Sequence, residues 1–203
     1  MLSGSRTRRE TEKSEARSYL DLCVDNDFWG LVVESGVRER ILLEEQALDS
    51  YGNFMFGLLA FWRKVGTWPE MVTVVSHAFK RARVLDLHVK AARWPRAKVE
   101  FVGIDPGYMV EGSGEWDGER MESVLRGERE RGYGAWEGDV VGMGEVLRGK
   151  RRERNVWGVR QVWFESEEER ERSGVRSRVV VDKEVGGVWE EVLLDMRQPW
   201  EDE

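Results

Sequence analysis

Two short β-branched runs, Met71-Val72-Thr73-Val74-Val75-Ser76 and Val99-Glu100-Phe101-Val102-Gly103-Ile104, flank a helix-patterned segment, and this spacing constrains the fold more than any other feature. Each run is apolar, short and bounded by turn residues, which predicts a strand. Over 78–93, Phe79, Ala82, Leu85, Val89 and Ala92 recur at three- and four-residue spacing, the signature of one apolar helix face. Two strands joined by a helix cannot form a tight hairpin. The connection crosses over and sets them parallel.

The chain before residue 71 repeats the alternation. Ala16, Tyr19, Leu20, Cys23 and Val24 predict a helix over 11–24, and Thr7-Arg8-Arg9-Glu10 has the form of a capping box ahead of it. Ile41-Leu42-Leu43-Glu44 reads as a short buried strand. Asp49-Ser50 then supplies an N-cap for a helix reaching residue 65, with Phe54, Leu58, Phe61, Trp62 and Val65 on its apolar face. Helix, strand, helix, strand, helix, strand implies an α/β domain with a mainly parallel sheet and helices on both faces.

Beyond Pro106 glycine, glutamate, arginine and tryptophan dominate. Short helices are expected over 117–131 and 139–154, weakened by internal glycines at about 1 kcal/mol each. The run Glu165-Ser166-Glu167-Glu168-Glu169-Arg170-Glu171-Arg172 reads as a solvated helix face or a spacer. Val179-Val180-Val181 and the residues from Trp189 to Leu194 can form a hairpin. The expected division is an α/β domain over 1–157 and a low-complexity charged extension over 158–203.

Charge and composition narrow the partners. A net charge of −7, with acids and bases spread along the chain, gives no basic field for nucleic acid. The single cysteine, Cys23, forms no internal disulfide and no cysteine-rich zinc site, and reads as a small packed residue. No metal-ligand spacing stands out. The longest apolar runs fall short of the ~20 residues of a membrane span, and Met1-Leu2-Ser3-Gly4-Ser5-Arg6 has no secretory apolar stretch. A cytoplasmic location is the default expectation.

Ligands of parallel α/β sheets bind beyond the carboxyl ends of the strands. Four places have that address: Ser3-Gly4-Ser5-Arg6-Thr7, Glu44-Glu45, Ser76-His77 and Asp105. After Ser76-His77, the bases Lys80, Arg81 and Arg83 occupy the first turns of a helix, where the dipole favours acids. A bound anion would relieve that conflict, and so would solvent or acids such as Asp86. His77 at a strand end can move a proton or simply bond backbone, and His88 in mid-helix reads as packing or surface. Ser3-Gly4-Ser5-Arg6-Thr7 has the shape of a short phosphate-cradling turn without the Walker or dinucleotide spacing. Asn53 either meets a ligand or caps its helix.

These stretches resemble, in order and spacing, the fungal branch of the domain-of-unknown-function 218 family (DUF218). The matching residues are Ser3-Gly4-Ser5-Arg6-Thr7 running to Glu12-Lys13-Ser14-Glu15-Ala16-Arg17-Ser18-Tyr19-Leu20, then Ile41-Leu42-Leu43-Glu44-Glu45 and Asp49-Ser50-Tyr51-Gly52-Asn53. Thr73-Val74-Val75-Ser76-His77-Ala78-Phe79-Lys80-Arg81 and Val99 through Pro106 follow, with Lys150-Arg151 and Arg154-Asn155 resembling a later basic patch. The resemblance implies a Rossmann-like three-layer fold. It also implies a cleft built from Ser5, Glu15, Glu44, Ser50, Asn53, Ser76, His77 and Arg81. In the first functional reading, Lys80 and Arg81 hold an anion and His77 or Glu44 moves a proton. Family members begin with an apolar strand upstream of the Ser-Gly turn, so here the first strand is expected to be missing. The function implied is binding of a phosphate- or nucleotide-containing small molecule at the strand C-termini, with no reaction assigned. The alternative is a non-catalytic truncated remnant or an interaction scaffold carrying exposed tryptophans such as Trp157, Trp163 and Trp189.

Overall fold

Ser14, not Thr7, starts the first helix: its hydroxyl accepts from the Arg17 N–H at 2.9 Å, and α1 spans Glu15–Asp25. The computed structural model describes residues 1–32, 36–183 and 188–201. Ahead of α1 lies a two-residue strand, β1 (Leu2–Ser3), so the turn at Gly4 and Ser5 does follow a strand, though a minimal one. After α1, Asp27, Phe28 and Trp29 adopt a left-handed turn, with Phe28 buried and Arg38 over its ring. β2 (Leu43–Glu44) is the carboxyl half of the expected strand, and it pairs in parallel with β1.

Asp49 caps α2 (Ser50–Val65) by accepting from the Gly52 N–H at 2.7 Å, and Gly66 closes it. This helix is buried more widely than one face. Tyr51, Phe54, Met55, Phe56, Leu58, Leu59 and Trp62 are all inside, whereas Val65 is exposed.

β3 (Val72–Ser76) and β4 (Val99–Gly103) are parallel, with Val74 opposite Phe101. The crossover between them runs through a π turn over Arg83–His88 into α3 (Val89–Ala91). Its buried side chains are Val84, Leu85, Leu87, His88, Val89 and Ala92, while Ala82 is exposed. The crossover start packs closely on the end of β4. A Cβ on Gly103 would lie 2.7 Å from Ala78 Cα, so only glycine fits there.

The remaining helices are α4 (Gly118–Gly127), running through a π turn into α5 (Gly134–Glu137), then α6 (Glu145–Arg154) and α7 (Glu167–Ser173). The acidic run therefore is helical, with Glu167 and Glu168 in the first turn where the dipole favours them. β5 (Ser177–Asp182) and β6 (Val188–Leu193) form the expected antiparallel hairpin.

The three-layer Rossmann-like sheet is not formed. Among the described residues the strands make three two-stranded sheets, two parallel and one antiparallel. Each strand–helix–strand unit follows the crossover logic, but the two parallel pairs do not merge. Ile41 and Leu42 lie outside β2, leaving a ladder of two residues per strand. The apolar surface of α2 that a wide sheet would have covered meets aromatic side chains from the end of the chain. Trp62 lies edge-on to Phe164 and stacks on Trp68, which in turn meets Trp200 edge-on at 4.8 Å.

Packing separates the chain into two units. Met1–Pro69 joins residues 149–201 in one, and Glu70–Arg148 makes the other.

Candidate functional site

In the first unit, the end of β1, the loop after it, the end of β2 and the start of α1 come together. The Gly4 N–H donates to Glu44 O at 3.0 Å and the Ser5 N–H to Ala47 O at 2.9 Å. The carbonyls of Gly4 and Ser5 accept from Ala16 and Glu15, the first amides of α1. Those helix-start donors are therefore satisfied by the turn itself.

Gly4 is fixed by geometry. Its φ is +141°, and a Cβ there would lie 2.9 Å from Glu15 Cβ. We expect Gly4→Ala to cost about 1–3 kcal/mol of stability, read as a lower urea midpoint at unchanged slope.

Glu44 is 4% exposed. One carboxylate oxygen accepts from the Gln46 and Ala47 amides at 2.5 and 2.9 Å, and the other from the Ser3 hydroxyl. Burial pushes its carboxyl up from the ordinary glutamate range, against the opposing pull of these hydrogen bonds. With both oxygens engaged inside the protein, Glu44 holds the turn. Ser3 Oγ also lies 3.1 Å from Asn53 Oδ1, which brings exposed Asn53 to the rim. Ser50 opens the same helix.

Ser5 is the exception in this bonded cluster. Its side chain is fully buried, and its hydroxyl has no hydrogen-bond partner among the described residues. Around it, the Thr7 hydroxyl donates to Glu15 at 3.2 Å and the buried Ser14 hydroxyl to Glu45 at 2.6 Å. Arg6, Arg8 and Arg9 follow on the exposed loop and form no ion pair among the described residues.

Ser76, His77, Lys80 and Arg81 belong to the second unit. There the Ala78 N–H donates to Asp105 Oδ1 at 2.8 Å, so the protein's own carboxylate occupies the start of the crossover helix. This acid answers the clash between bases and the helix dipole. His77 Nδ1 lies 3.1 Å from Ile104 O and its ring stacks on Phe79. Arg81 donates to Phe101 O at 3.1 Å, and Lys80 lies over the Phe79 ring. Arg81 thus bonds a carbonyl within β4, and His77 one just past its end.

The structure thus brings Ser5, Glu15, Glu44 and Asn53 to one turn. Sequence reasoning named Ser3 only as part of the turn and Ser14 only within the resemblance, and gave neither a role, although Ser14 stands three residues before Arg17, the ordinary N-cap spacing. It also placed Arg151 only by resemblance. Arg151 is buried, donating to Asp49 at 3.0 Å and twice to Glu190, at 2.8 and 3.0 Å. Burial works against its charge, but Asp49 and Glu190 outweigh that and hold its proton more tightly than usual. Of the three tryptophans expected to be exposed, Trp157 and Trp189 are, and Trp163 is buried.

Among the described residues no cluster of His, Cys, Asp or Glu could hold a metal ion. None of their helices is long and apolar enough to cross a membrane.

The chain is similar to the uncharacterized protein YOR238W of Saccharomyces cerevisiae, 33% identical over 66 residues, which cover 32% of this chain and 22% of that protein. The match thus spans about a fifth of the relative's length. No family model matches the chain. No solved structure matches it either.

Proposed function

We propose that the protein is a DUF218-like domain that binds a phosphate-containing small molecule, a nucleotide or a related compound, at the loop between β1 and α1. The observation that carries this reading is the buried, unpartnered Ser5 hydroxyl beside the exposed bases Arg6, Arg8 and Arg9. An orphaned buried hydroxyl costs about 1–3 kcal/mol, and a ligand oxygen at the turn would recover it. Arginines supply the charge-assisted donors that phosphate oxygens take best. The loop follows the end of a parallel strand, the usual address for such ligands. Glu44 then positions the loop, and Glu15 and Asn53 are placed to accept from ligand hydroxyls at the rim.

The test is thermal unfolding with inorganic phosphate, nucleotides and sugar phosphates. A ligand at a hundred times its Kd stabilises by about 2.7 kcal/mol, a rise of several degrees. Ser5→Ala is expected to leave the unliganded melting temperature equal or higher, because its hydroxyl lacks a partner, and to shrink the ligand-induced rise. Arg8→Ala is expected to shrink it further. Shifts that survive both substitutions would sink the reading.

A second reading, an interaction scaffold, is supported by Val75, Val102 and Ile104, which are exposed at the end of the β3–β4 sheet. It takes the first one's place if no phosphate compound shifts the melting temperature.

A further inference from the structure

Trp157 is an exposed aromatic residue of the first unit whose indole is tethered. It is 39% exposed, and its indole Nε1–H donates to the Arg8 carbonyl at 3.0 Å. The ring is therefore tethered by its polar edge to the arginine-bearing loop, and it makes no ring or cation contact among the described residues. Trp62, by contrast, is buried among other rings and Trp189 has Arg160 over it.

The turn that carries Trp157 is held firmly. The Asn155 side chain donates to Val159 O at 2.7 Å and accepts from the Val159 N–H at 2.6 Å, closing the turn from inside. Arg154 donates to Leu48 O and Gln161 to Gln46 O, which ties both flanks of the turn to the segment between β2 and α2. An exposed aromatic surface held in place in this way loses little freedom when something stacks on it.

We propose that Trp157 is a stacking platform for the base of a nucleotide whose phosphate lies against Arg6, Arg8 and Arg9. This rests on the phosphate-binding reading above and names the ligand class: a nucleotide rather than a plain sugar phosphate. Stacking on an indole is tolerant of base identity, because every base presents a π face. The platform thus selects for the presence of a base, while the loop arginines answer its phosphate.

The test compares adenosine 5′-monophosphate with ribose 5-phosphate by isothermal titration on the full chain, wild type and Trp157→Leu. Wild type is expected to bind adenosine 5′-monophosphate at least roughly fivefold more tightly. Trp157→Leu is expected to reduce that preference to about unity, with its circular dichroism spectrum confirming the fold. Both compounds binding wild type equally overturns the platform and leaves phosphate binding standing. A preference that persists in a folded Trp157→Leu also overturns it. Neither compound binding wild type overturns both readings together.

Discussion

Arg151→Met is expected to destabilise the first unit by about 3–5 kcal/mol, the usual cost of removing one partner from a buried ion pair. The guanidinium bonds both Asp49 and Glu190, so its loss takes from a largely buried site the charge that both carboxylates share. Asp49 carries a second duty. Its other oxygen caps α2, and a carboxylate drawn toward solvent weakens that cap as well. The expected result is a large drop in the urea midpoint with little change in slope. Replacing all three residues by apolar ones of similar volume is expected to recover most of the loss, because the desolvation penalty leaves with the charges. A drop under about 1 kcal/mol for Arg151→Met would show that the pair is solvated.

His88 is expected to make the fold acid-sensitive well above the carboxylate range. Its side chain is fully buried and sits edge-on to Trp136 at 4.6 Å. Burial, with the Arg83 charge as a smaller contributor, pushes its pKa down from 6.5 to about 3. In the unfolded chain the imidazole regains its ordinary value, so below pH 6.5 the unfolded state binds a proton that the folded state refuses. Stability then falls as pH falls, by up to about 1.4 kcal/mol per pH unit, and is untouched by this group above pH 6.5. Between pH 7 and pH 5 the loss comes to about 2 kcal/mol. His88→Leu is expected to remove this slope, and subtracting the two profiles cancels other titrating groups such as Glu44. Parallel profiles for wild type and variant over that range would show that His88 takes up its proton in the folded state.

Local features were legible where a residue type does one job. Asp49 caps its helix as expected, because a carboxylate in front of an apolar run has a single good use. The β3–β4 crossover and the C-terminal hairpin also follow from runs of β-branched residues and what separates them. The sheet was not legible, because a strand's pattern says that it pairs and not how many strands join. Leu43 and Glu44 carry the same alternation in a two-residue ladder as they would in a wide one. The candidate turn was half legible. Gly4 and Ser5 stand out as a tight turn, but only packing shows that Glu44 is consumed in holding it while Ser5 is left over. Likewise Arg151 reads as one more base in a basic helix until Glu190, far along the chain, is seen beside it.

The first unit is assembled from two stretches separated by the whole of Glu70–Arg148. During synthesis the first stretch must leave the ribosome and wait. Phe164, which meets Trp62 of α2, and Trp200, which meets Trp68 just beyond it, emerge only after the intervening residues have done so. The second unit, continuous in sequence, has all of its partners in hand first. Until Glu190 is made, Arg151 lacks one of its two carboxylate partners, so a residue translated late completes the charge balance at the start of a helix made long before.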